Sequence, residues 1–125
     1  STKPMSALPI IQKLKHRKTP PPKYFSEKEP GTLYVDVDNT LLDSNDKVNE
    51  AVTEMIWKAK FKGWTIVVWS AQGEERAHFA KRKAKIQSIC HALGKPTATI
   101  DDKSWDDWGR FTDHFTPPEP KEDDR

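Results

Sequence analysis

The sequence predicts an α/β fold, a short parallel sheet layered between helices, on three observations. Short β-branched or apolar runs alternate with longer stretches of helical periodicity, in the order β-α-β-α-β-α. The run TIVVWS at 65–70 is almost continuously apolar, as a strand inside a covered parallel sheet is. Finally, 34% of the 125 residues are hydrophobic against 32% charged, which leaves a thin core suited to one compact domain.

Each element has its own signal. TLYVDV (32–37) is β-branched and aromatic, bounded by Pro30-Gly31 before it and by a polar DNT after it, and reads as a strand. In NEAVTEMIWKAKFKGW, Val52, Met55, Ile56 and Ala59 recur at helical spacing, with Asn49 to cap the start and Gly63 to stop the end. TIVVWS is the second strand. The next stretch, 74–94, reads as one long helix: Glu74 and Glu75 suit its positive end, and Gly94 stands past its last turn. Phe79, Ile86, Ile89, Cys90 and Leu93 would form its buried stripe. TATI (97–100) is the third predicted strand. Ser104 and Asp107 then make a capping box for a short helix carrying Trp105, Trp108 and Phe111. With right-handed crossovers this is a minimal Rossmann-like three-layer sandwich.

The ends differ in composition from this middle. Residues 1–30 hold seven Lys/Arg, two Glu and six of the ten prolines, and 117–125 read PPEPKEDDR. Neither has apolar periodicity, so the organisation expected is a basic arm (1–30), a folded domain (31–116) and an acidic tail (117–125). The basic KLKHRK run is a solvated tail or an electrostatic contact to nucleic acid. One cysteine, Cys90, excludes an intrachain disulfide, and no apolar run approaches the roughly 20 residues that span a bilayer. A cytoplasmic protein with no membrane partner is expected.

The acidic residues carry the chemistry. Ligands of open parallel sheets bind beyond the C-terminal strand ends. Asp36 and Asp38 close the first predicted strand, Ser70 the second, and Asp101-Asp102 the third. Carboxylates gathered at one edge repel unless a cation or proton intervenes, and a hard cation such as Mg²⁺ suits oxygen ligands. A calcium loop started on Asp36 is excluded, because Leu41 and Lys47 stand where it needs glycine and glutamate. Each aspartate taken singly could also simply cap a turn.

DVDNTLLDS resembles motif I of the haloacid dehalogenase-like (HAD) hydrolases, Asp-x-Asp-x-Thr after a hydrophobic strand. VVWS resembles their motif II, and GKPTATIDDK the combined motifs III and IV of the small phosphatases of that superfamily. The resemblance spans roughly 32–108. It implies Asp36 as a nucleophile that becomes an aspartyl-phosphate, and Asp38 as acid and then base. It further implies Ser70 and Lys95 on the phosphoryl group, with Asn39 and Ala71 beside it. Mg²⁺ would be held by Asp36, Asp38 and an acid from Asp101-Asp102. Thr40 would brace the motif I turn.

Two departures from the family pattern are visible. The predicted helix runs straight into Lys95-Pro96, where the resembling phosphatases have a further stretch, and Gln72 stands where they often have arginine. The spacings leave no room for a cap domain, which points by analogy to nucleotides or nucleic-acid phosphate ends as substrates. The expected function is Mg²⁺-dependent phosphomonoester hydrolysis. The other reading is a HAD-like module with little or no turnover that binds nucleic acid or a protein through its basic arm. Trp57, Trp64 and Trp69 are expected in packing, with Trp105 and Trp108 at the core or rim.

Overall fold

A computed structural model of the protein describes residues 29–109 and 112–120, of which the side chains of Trp108 and Gly109 are left aside. The expectations for the basic arm up to residue 28, for Phe111 and for the end of the acidic tail lie outside the described residues. The chain is mixed α/β. Its described elements are β1 (Thr32–Asp36), α1 (Glu50–Phe61), β2 (Thr65–Ser70), α2 (Glu74–Lys83), β3 (His91–Gly94) and α3 (Trp105–Gly109). They fall into two units. One comprises 29–97 with 117–120, and the other 98–109 with 112–116.

In the first unit the three strands form a parallel sheet in the order β1-β2-β3. Asp36 pairs in register with Trp69, and Trp69 with Leu93. Strand order follows chain order, and with the usual right-handed crossovers α1 and α2 cover the same face, which corrects the expected three layers to two in this unit. Burial agrees with that geometry. Val35, Val37, Ile66, Val68, Ser70 and Ala92 share one face through the register, and all are buried. On the opposite face Val67 is buried, Trp69 half-buried, and Tyr34 and Leu93 exposed.

Helix α1 forms as its sequence demands. The Asn49 side chain accepts from Ala51 N at 3.0 Å, Val52, Thr53, Ile56 and Ala59 are buried, and Gly63 turns the chain at φ 98°. Trp64 packs under β1 beside Gly31, whereas Trp57 projects half-exposed from the outer side, which corrects its assignment to packing.

Helix α2 is shorter than expected. It ends at Lys83, and Lys85 adopts a left-handed φ of 62°. Ile86 N donates to Lys81 O at 2.9 Å and Lys85 N to Arg82 O at 3.0 Å, the paired bonds of a Schellman stop, with Ile86 wholly buried behind it. A lysine fills the position that usually betrays itself as glycine. Residues 91–94, expected as the helix end, are instead the edge strand β3.

TATI (97–100) is not a strand, and its Ile100, in the second unit, is fully exposed. Ser104 does begin the short helix: its Oγ and its carbonyl both accept from Asp107 N, at 3.2 and 3.0 Å.

Candidate active site

The turn at 36–42 leaves β1 through a compact set of backbone bonds. Leu42 N donates to Val37 O at 2.9 Å, Asn39 N to Leu42 O at 2.8 Å, and Leu41 N to Asp36 O at 3.3 Å. Val37, Leu41 and Leu42 are completely buried and pin the turn from inside. Asn39 takes a φ of 63°, in the region where asparagine is among the residues that fit best. Asp36 and Asp38 are thereby left at the sheet rim, half-buried, on either side of Val37.

Different donors serve the two carboxylates. Lys95 Nζ is 3.2 Å from Asp36 Oδ1, and Thr40 Oγ1 donates to Asp36 Oδ2 at 3.4 Å, the bracing role expected of Thr40. Arg76 Nη2 donates to Asp38 Oδ1 at 2.6 Å, and Gln72 Nε2 to Asp38 Oδ2 at 2.8 Å. The repulsion foreseen between paired acids is met first by the chain's own cations.

Lys95 gets to Asp36 because β3 intervenes. The sequence suggested a helix running directly into Lys95; the strand instead delivers it beside the end of β2, where Lys95 N donates to Ser70 O at 2.9 Å. Its ammonium also lies 5.7 Å from the Trp69 ring centroid, and that ring meets Tyr34 at 4.5 Å between centroids. Ser70 is buried, and its hydroxyl oxygen accepts from Gln72 N at 2.9 Å. Ala71 follows it into solvent at the mouth of the turn.

Arg76 and Asp46 escaped sequence reasoning. Arg76 holds Asp46 as well, Nη2 to Oδ1 at 2.7 Å and Nη1 to Oδ2 at 3.4 Å. This pairing, first by its hydrogen bond, lowers the Asp46 carboxyl below its ordinary range. The same two acids raise the guanidinium further above its own, Asp46 contributing most. One signal was available: a cation in the first turn of a helix opposes the helix dipole, so acids elsewhere must favour it there.

Asp101 and Asp102 do not close a strand. Both are exposed, and Asp101 Oδ1 accepts from Lys103 N at 2.9 Å in a local turn, a bond that also lowers its carboxyl. Among the described residues no group of three or more His, Cys, Asp or Glu side chains is placed to hold a metal ion. The donor chemistry of the β1 rim still fits Mg²⁺, which takes one or two protein carboxylates and keeps its waters or substrate oxygens. Asp36 offers a carboxylate, and the carbonyl of Asp38 is not used by the backbone bonds that close this turn.

A cavity of about 490 Å³ adjoins the turn, lined by Asn39, Thr40, Asp43, Asn49 and Pro117–Pro120 among others. Asn49 Nδ2 ties the tail to it by donating to Pro118 O at 3.1 Å. No helix among the described residues is long and apolar enough to cross a membrane. No protein-family model, curated protein or solved structure matches the chain.

Proposed function

We propose that the chain is a Mg²⁺-dependent phosphomonoester hydrolase of the HAD-like type, with Asp36 as nucleophile and a Rossmann-like core as its scaffold. The contact of Lys95 with Asp36 at 3.2 Å carries the reading, since a cation beside the proposed nucleophile, across the end of β2, is what transfer of a phosphoryl group would need. In the first step an Asp36 oxygen attacks phosphorus, the ester P–O bond breaks, and Asp38 gives its proton to the departing oxygen. Lys95 offsets charge on the phosphoryl oxygens as they pass, and positioning with charge stabilisation is most of what such a transfer requires. Mg²⁺, held by the Asp36 carboxylate and the Asp38 carbonyl, would neutralise phosphoryl charge. The cavity beside Asn39 and Thr40, within the size range of small-molecule sites, receives the organic part of the substrate.

The test is phosphate release from p-nitrophenyl phosphate, a nucleoside monophosphate and a phosphate-ended oligonucleotide, with and without Mg²⁺. Hydrolysis abolished by EDTA and by Asp36→Asn is expected. Hydrolysis that survives Asp36→Asn unchanged overturns the nucleophile assignment, and the preferred ester identifies the substrate class.

A further inference from the structure

The grip on Asp38 is more elaborate than a turn needs. Both of its oxygens accept, Oδ1 from Arg76 at 2.6 Å and Oδ2 from Gln72 at 2.8 Å, so its orientation is fixed at both ends. Arg76 is itself fixed from three directions. Its guanidinium lies 5.5 Å from the Phe79 ring centroid, its stem rises from α2, and its Nη groups meet Asp46. The loop bearing Asp46 is itself tied by short local bonds. Asp43 Oδ1 accepts from Asn45 N and Lys47 N, both at 2.8 Å, and Asp46 sits in the left-handed region at φ 62°. A conformation unfavourable for a non-glycine residue persists where surrounding bonds over-determine it.

We infer that Arg76, anchored by Asp46, is a positioning residue that keeps Asp38 oriented as the base for the second half of the reaction. The inference rests on the phosphatase reading above. In that half-reaction a water oxygen attacks the phosphorus of phosphorylated Asp36 while its proton passes to the Asp38 carboxylate. The bond from phosphorus to the Asp36 oxygen breaks, its electron pair returns to Asp36, and inorganic phosphate leaves. A carboxylate held at both oxygens is already oriented for that step. The Arg76–Asp46 pair keeps the guanidinium in place when Asp38 turns away to act as acid.

Rapid mixing of the full chain with p-nitrophenyl phosphate separates the two halves, because p-nitrophenolate leaves without help from an acid. In Arg76→Ala the first equivalent of p-nitrophenolate appears within about threefold of the wild-type rate. Steady turnover then falls about 10- to 100-fold, the scale of a displaced acid–base group. Phosphorylated Asp36 accumulates, seen as an added phosphoryl mass. Arg76→Lys recovers part of the turnover, and Asp46→Asn, on the loop surface, reproduces the defect in milder form. Equal losses in both phases, or no loss in either, overturn the inference while leaving the phosphatase reading standing. If the wild-type chain releases no p-nitrophenolate, or Asp36→Asn releases it undiminished, the phosphatase reading falls and takes this inference with it.

Discussion

Lys95 Nζ lies 3.2 Å from Asp36 Oδ1, although Asp36 ends β1 and Lys95 follows β3, the strands that flank β2 on opposite sides. The lysine spans the central strand by passing over Trp69, the register partner of Asp36. Both ends of the pair are more than a third exposed, so its contribution to folding is small, about 0–1 kcal/mol at most for pairs of this kind. Lys95→Met should therefore leave the denaturation midpoint almost unchanged while phosphomonoester turnover drops about 100-fold or more. A matched loss of stability and turnover would assign Lys95 to the scaffold. Urea titration and steady-state kinetics on the same preparation decide between them.

Gly73 stands at φ 113°, ψ 174° immediately before α2, a region open in practice to glycine alone. A Cβ there would meet nothing within 4 Å, so any cost of substitution is backbone strain and not collision. Gly73→Ala should lower unfolding free energy by about 1–3 kcal/mol. Because Gln72 and Arg76 flank this residue, the strain should also loosen their hold on Asp38, measured as a fall in steady turnover at temperatures where the variant is folded.

Lys85 presents the reverse case. It holds a left-handed φ of 62° that glycine adopts without penalty, offset by the greater freedom glycine gives the unfolded chain. Lys85→Gly should raise stability by about 0.5–1 kcal/mol, and Ile86→Ala, which empties a wholly buried site behind the stop, should lower it by about 2–5 kcal/mol. Both are read from chemical denaturation at neutral pH.

Asp46 makes a prediction in pH. Arg76 lowers its carboxyl in the folded chain, so the stabilisation it brings is complete above the ordinary carboxylate value and is lost as pH falls through the depressed folded one. Thermal midpoints of the wild type and Asp46→Asn should run parallel above about pH 5 and converge progressively as the pH falls below the ordinary carboxylate value. A gap that persists to the lowest pH would mean the loop is stabilised by Asp46 hydrogen bonds alone.

The elements that were legible in the sequence are those that announce themselves locally. Asn49 and Gly63 bracket α1, and the apolar run of β2 fits a central strand with its Val67 buried even on the more open face. Misreading began where a stop signal was made from an unusual residue. Lys85 ends α2 in a glycine-type conformation, so periodicity carried the predicted helix on to Gly94 and swallowed β3. Conversely, TATI has strand composition, yet Ile100 is left exposed. Of the candidate residues, Asp36, Asp38 and Ser70 stood out because they end predicted strands, and Lys95 through the motif resemblance alone. Arg76 and Asp46 were not, since they lie 30 residues apart and meet only through folding.

Ser70 gives the rim a property that neither carboxylate has by itself. Its carbonyl accepts from both Gly73 N and Lys95 N, at 3.1 and 2.9 Å, and its hydroxyl oxygen accepts from Gln72 N. One buried residue is thus the shared pivot for the donor that touches Asp38 and the donor that touches Asp36. A change at Ser70 would therefore reach both carboxylates at once, because the backbone that carries Gln72 and the backbone that carries Lys95 are both bonded to it.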